Sequence, residues 1–150
     1  MPADSHEITD ALSQLTADAV VLYYKARNFH WNVQGPGFFT LHEQFEKLYT
    51  ALADQIDAIA ERVRTRHGTP PTTLAEVIAK SRIQEVSEVL PAEAMVAAIA
   101  ADLRAFIAYI NSVEDLAEQH GDRTTADTLD DVRDDLALRA WMFESYLGKA

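Results

Sequence analysis

The sequence predicts an all-α fold: four long helices in a bundle, with one long crossover between the second and third that carries a short extra helix. Three observations predict it. Apolar residues recur at steps of three and four along four segments of bundle length, and no stretch has the alternation of a strand. Gly35-Pro36-Gly37 and Gly121 leave only short turns after the first and third segments, so each pair of helices must run antiparallel. The stretch from about Gly68 to Leu90, in contrast, is long enough to cross a bundle from end to end.

The first helix is expected from about Asp4 to Val33, where Ile8, Leu12, Leu15, Ala19, Leu22, Ala26, Phe29 and Val33 form a bundle-type seam. The second spans Phe38 to Arg66 on the stripe Phe45, Leu48, Leu52, Ile56, Ile59 and Val63, and His67-Gly68-Thr69-Pro70-Pro71 closes it. Thr73-Leu74-Ala75-Glu76 matches a capping box and starts the short helix, which reaches about Lys80. Pro91 suits the first position of the third helix, which runs through Met95, Ile99, Leu103, Phe106, Ile110 and Val113 to His120 and stops at Gly121. The fourth helix runs from about Asp122 to Leu147 on Leu129, Val132, Leu136, Ala140 and Phe143. One domain of 150 residues accounts for the whole chain, and 48% hydrophobic residues suffice for its core.

Composition narrows the chemistry. With no cysteine, disulfides, thiolate metal sites and iron–sulfur clusters are excluded, and any metal must be held by imidazole and carboxylate. Such ligands suit iron, zinc or manganese. A formal charge of −11 favours cations over polyphosphates as partners. The start MPADSHEITD lacks a basic segment followed by an apolar run, and no apolar run approaches membrane-spanning length. A cytoplasmic location and no membrane partner are the expectations.

Histidines and acids on the second helix point to a metal site. Taking His42 as zero and turning about 100° per residue, the core stripe lies at roughly 240–320°, while His42, Glu46, Asp57 and Glu61 fall between about 0 and 100°. His42/Glu46 and Asp57/Glu61 are each one turn apart and each able to offer neighbouring groups to one ion. Fifteen residues of helix between His42 and Asp57 rise about 22 Å, which no single ion can bridge. An antiparallel second copy, related by a two-fold axis, would bring one chain's histidine end to the other's carboxylate end. Either pair alone is also what a solvated helix face looks like. No Glu-x-x-His occurs in the chain, which argues against a di-iron centre built inside one bundle.

His30-Trp31-Asn32-Val33, Gly35, Phe39, Leu41-His42-Glu43, Phe45-Glu46, Tyr49, Asp57 and Ala60-Glu61-Arg62 resemble the signature of the Dps mini-ferritins, the DNA-binding proteins from starved cells. That resemblance implies a ferritin-like bundle and a shell of twelve subunits with a ferroxidase centre between two-fold related copies. It implies His30, His42 and the position of Glu46 as ligands or near-ligands from one subunit, with Asp57 and Glu61 from the other. Family members often carry Asp where this chain has Glu46, so the longer side chain would act directly or through water. It also implies Trp31 as a catalytic ring beside the metal, able to supply an electron, and Fe²⁺ oxidation by H₂O₂ or O₂ with peroxide usually preferred.

Asp122, Asp127 and Asp131 open the fourth helix, where acids cap the helix and complement its dipole. Their spacing also resembles the acidic lining of the pores through which iron enters such shells at their three-fold axes. Direct DNA binding is not expected, because Met1 to Asp10 holds three acids and no Lys or Arg, and the C-terminal end adds only Lys149. Two alternatives to iron oxidation and storage follow from the same residues. One is a DNA-compacting protein with little catalysis; the other is a shell that sequesters zinc or manganese.

Overall fold

The computed structural model describes residues 3–149, with side chains from His6 onward. Five helices follow in order: α1 (Ala3–Asn32), α2 (Phe38–Thr65), α3 (Leu74–Lys80), α4 (Ala92–Gln119) and α5 (Arg123–Tyr146), with no strand among the described residues. α1 packs mainly on α2 and α4 mainly on α5, and the two hairpins meet through α1 against α4 and α2 against α5. The expected seams are the core. Every named apolar residue of the first seam, from Ile8 in α1 to Val33 just beyond it, is buried, as are Phe45, Leu48, Leu52, Ile59 and Val63 of α2, while Ile56 is partly so. Phe29, Phe45 and Phe106 are fully enclosed, and each such ring stabilises the bundle by about 1.5–3 kcal/mol through apolar burial.

Backbone chemistry explains where the helices stop. At the end of α4, Gly121 takes φ +68°, and the N–H groups of Gly121 and Asp122 turn back to the carbonyls of Glu118 and Ala117. This closes the helix with a left-handed residue, which favours glycine. α2 ends in the same way with a histidine in the glycine's place. His67 has φ +68°, and His67 and Gly68 donate to Arg64 and Val63.

Two expectations at helix starts are corrected. Pro91 precedes α4 as its cap rather than opening it, since its ψ of 151° is extended while its carbonyl already accepts from Met95. At α3, Thr73 caps as expected by accepting from the Glu76 N–H at 3.1 Å. The returning Glu76 carboxylate, however, reaches the N–H and hydroxyl of Thr72 rather than the N–H of Thr73.

Polar groups anchor the crossover to α1. Asp18, fully buried, accepts from the Arg82 backbone N–H at 2.7 Å and from its guanidinium, whose plane lies over Tyr109 at 3.7 Å. Lys25 bridges the Gln84 carbonyl at 2.8 Å and Asp102 at 2.7 Å. A charge this buried requires such partners. The outer face of α2, away from both hairpin contacts, remains open.

Candidate metal centre

The centre starts at the turn between α1 and α2. Gly35, at φ +107°, lets the chain reverse within five residues, and this sets the last turn of α1 beside the second turn of α2. His30 and His42 thereby come face to face, with ring centroids 3.7 Å apart and planes 16° from parallel. Nδ1 of His30 lies 2.6 Å from the His42 carbonyl oxygen, and Nδ1 of His42 lies 2.7 Å from the His30 carbonyl oxygen. A carbonyl only accepts, so both Nδ1 atoms carry the proton and donate. In the neutral form of each ring Nε2 then keeps the lone pair, the arrangement found in metal-binding histidines whose second nitrogen is tied to a backbone carbonyl.

Glu46 comes next. Its Oε1 is 3.7 Å from Nε2 of His30, and the side chain is more than half exposed. His30, by contrast, is buried, with only 7% of its surface exposed. One chain thus sets His42 and Glu46 each against His30.

Asp57 and Glu61 stand elsewhere. Both are exposed and lie further along the same unbroken helix. At about 1.5 Å per residue, Asp57 is some 22 Å from His42. Among the described residues, no three His, Asp or Glu side chains converge so as to hold a metal ion.

The surrounding rings include two that the sequence did not single out for the site. Phe38 stacks on His42 at 4.9 Å, and Tyr49 presents its edge to His30 at 5.3 Å. Their spacing was the available signal, since Phe38 is one turn before His42 and Tyr49 two turns after it. Trp31, next to His30 in sequence, points to another side of α1. It is 52% exposed and packs edge-on against Tyr24 at 5.9 Å. Arg27 lies over Tyr49 at 4.3 Å, Tyr23 at 5.5 Å and Trp31 at 5.6 Å, joining Trp31 to the ring that touches the His pair.

The three acids at the start of α5 occupy two different settings. Asp122 has a nearly buried side chain, 8% exposed, that pairs with Arg62 at 2.9 Å and Arg66 at 2.6 Å and caps α5 by accepting from the Thr125 N–H. Burial alone would raise its carboxyl, but hydrogen bonds from Thr125 and the charges of Arg62 and Arg66 outweigh that and hold it below the usual range. Asp127 and Asp131 are exposed, and Asp131 lines a shallow groove with Asp54, Gln55 and Thr128.

Known proteins are similar to this chain over most of its length. The ferritin-like domain family matches residues 9–150. A DNA protection during starvation protein from Brevibacillus brevis is 41% identical, over 91% of each chain, and a second protein of that name from Bacillus anthracis is 39% identical, over 95% of this chain and 98% of its own. Among solved structures, a Dps protein from Bacillus brevis superposes with a TM-score of 0.95 at 38% identity, covering 98% of this chain and 99% of its own. A Vibrio cholerae Dps, described as a member of a broad superfamily of ferritin-like diiron-carboxylate proteins, has a TM-score of 0.92 at 28% identity, covering 96% and 91%. The five-helix architecture is therefore the ferritin-like one, and the chain belongs to the Dps family of ferritin-like proteins.

Proposed function

We propose that this protein is an iron-oxidising and iron-storing mini-ferritin, working as a cytoplasmic homo-oligomeric shell of twelve subunits with centres shared across two-fold axes. The reciprocal Nδ1–carbonyl bonding of His30 and His42 carries this reading, because it spends Nδ1 on the backbone and leaves Nε2 of each neutral ring free to ligate a cation. Glu46 adds a carboxylate to that half-site directly or through a water, and Asp57 and Glu61 of a second copy complete it. The unbroken course of α2 supports the sharing, since no bend shortens the span between the two ligand pairs.

Fe²⁺ is the substrate. Two Fe²⁺ ions each give one electron to hydrogen peroxide; the O–O bond breaks, two protons are taken up and two waters form. The ferric product then hydrolyses and is stored. Imidazole is among the ligands that suit iron, and with carboxylates it makes up the donor set available here. Trp31, joined to Tyr49 through Arg27, is placed to give up an electron if a single Fe²⁺ leaves peroxide half reduced. Names of the relatives that refer to DNA protection during starvation support a protective role, here assigned to removal of Fe²⁺ and peroxide.

Anaerobic titration with Fe²⁺, followed by separate additions of peroxide and air, tests the proposal. Saturable binding and rapid ferric formation at one peroxide per two Fe²⁺ are expected. Tight binding of Zn²⁺ or Mn²⁺ with no acceleration of Fe²⁺ oxidation would replace it with the sequestering shell.

A further inference from the structure

Several cations at the helix contacts are neutralised by a partner: Lys25 meets Asp102, Arg82 meets Asp18, and Arg62 and Arg66 share Asp122. Arg27 is different. It is partly buried on α1 and has no ion pair among the described residues. Three rings hold its guanidinium instead, those of Tyr49 at 4.3 Å, Tyr23 at 5.5 Å and Trp31 at 5.6 Å. Such contacts fix the group without cancelling its charge, and a guanidinium stays protonated at every working pH.

Its place relative to the centre follows from one of those rings. Tyr49, over which Arg27 lies, meets His30 in a T-shaped contact with centroids 5.3 Å apart. The two contacts together keep the positive charge within about 10 Å of the His30 ring, and residues three apart are neighbours on a helix face. Tyr49 is the spacer between them. Arg27 therefore acts on a cation at the histidines through its field and not by contact, while Glu46, 3.7 Å from Nε2 of His30, attracts the same cation.

Resting on the ferroxidase reading above, that field acts unequally on substrate and product. Coulomb repulsion grows with the charge of the ion, so a tripositive ion is pushed away half as strongly again as a dipositive one. At about 10 Å and the dielectric of water, one unit charge weakens binding about fourfold for a dipositive ion and about eightfold for a tripositive one. The effect is larger where water is excluded and smaller in salt.

We propose that Arg27 is the product-release residue of the centre: its fixed positive charge, held one ring behind His30, weakens the hold on ferric iron more than on Fe²⁺ and so clears the half-site for the next load. Charge in direct contact with the histidines would repel the substrate as well as the product. One ring away, it leaves Fe²⁺ binding to Glu46 and the imidazoles and biases the release. The same bias makes bound Fe²⁺ harder to oxidise, which a strong oxidant such as peroxide overcomes.

Co²⁺ in air-free buffer tests the charge without any oxidation, because its visible absorption reports ligation by imidazole. At low salt, Arg27→Gln and Arg27→Met should bind it about fourfold more tightly than wild type. Arg27→Lys keeps the charge and should stay within about twofold of wild type. The gap should narrow at high salt. For the product, assembled particles are loaded once with Fe²⁺, oxidised with peroxide and loaded again. Wild type and Arg27→Lys should accept the second load sooner than the two neutral variants, with circular dichroism and sizing confirming folded particles throughout. Unchanged Co²⁺ affinity in the neutral variants, a lysine variant that behaves like the glutamine one, or a second load accepted equally fast by all would each overturn the assignment. Failure of the ferroxidase reading looks different: Co²⁺ affinities would follow the expected order while wild type oxidised Fe²⁺ no faster than buffer. Wild type that bound no Co²⁺ would overturn both.

Discussion

His30 and His42 hold each other in place through the backbone: each ring donates from Nδ1 to the carbonyl of the other, at 2.6 and 2.7 Å, while the rings stack at 3.7 Å. The end of α1 is thus latched to the start of α2 by the same groups proposed to bind iron. Because the acceptors are backbone carbonyls, loss of one side chain leaves the other ring oriented.

His30→Ala and His42→Ala should therefore each retain a folded, assembled particle with one oriented imidazole. Each should oxidise Fe²⁺ at least about tenfold more slowly than wild type, and the double variant should fall little further, because a half-site with one ring is already incomplete. Stopped-flow rates with peroxide, beside a check of assembly, decide this. An intact double variant working near the wild-type rate would remove these histidines from the centre.

Asp122 and its neighbours Asp127 and Asp131 should separate in their effects. Asp122→Ala removes a helix cap and leaves Arg62 and Arg66 unpaired, which should cost about 2–4 kcal/mol. The carboxyl of Asp122 is depressed, so its stabilisation is present above the ordinary aspartate value of 3.8 and is lost as pH falls through the lower folded value. Denaturation of the variant should accordingly approach that of wild type in strong acid. Asp127→Asn with Asp131→Asn should leave stability alone and slow iron uptake at low salt, where the attraction of exposed acids for Fe²⁺ is least screened. Unaltered uptake would make these two acids solvated charges of the helix.

Glu114 should make the bundle less stable as pH rises from the ordinary carboxylate range toward neutrality. Burial pushes its carboxyl up to about 7, helped by a hydrogen bond with Asp130 and the charges of Asp130 and Glu118, while Arg133 at 2.8 Å opposes the rise. Its Oε1 is buried and meets the geometry of a hydrogen bond with no partner among the described residues. The folded chain keeps a proton that the unfolded chain releases above 4.5, so stability falls between that pH and about 7 and stays lower above it. Glu114→Gln cannot ionise. Its stability relative to wild type should improve by about 1–3 kcal/mol between pH 5 and 8, measured by urea unfolding. A constant difference across that range would show that Glu114 does not titrate there.

The assembled particle should protect DNA without binding it. At −11 per chain, repulsion from phosphate acts over about a Debye length of 8 Å at physiological salt, and protection is then chemical. A nicking assay with Fe²⁺ and peroxide should show protection that the His30→Ala/His42→Ala particle lacks, with no mobility shift for either. A clear shift near neutral pH in metal-free buffer would point to DNA binding instead.

Much of the bundle was legible because burial writes itself into spacing. Ile8, Leu12, Leu15, Ala19, Leu22, Ala26 and Phe29 follow the helical repeat and are all buried, and Gly121 stops α4 because a left-handed residue is needed there. The ends of elements were less legible. Whether Pro91 opens or caps α4, and whether Glu76 returns to Thr72 or Thr73, depends on one backbone angle and on the reach of a flexible side chain, which spacing does not encode.

The candidate site divides along the same line. By itself the sequence determined that His42, Glu46, Asp57 and Glu61 share a face of α2 off the core stripe, and that one straight helix separates them too far to share an ion. Only the tertiary structure decided that His30, from another helix, stacks on His42, that both Nδ1 atoms are spent on carbonyls, and that Asp122 is committed to Arg62 and Arg66 while Asp127 and Asp131 are exposed. The physical reason is range. A helix's period fixes which of its own residues are neighbours, whereas contacts between helices depend on where the Gly35 turn, the crossover and the packed core set one helix against another.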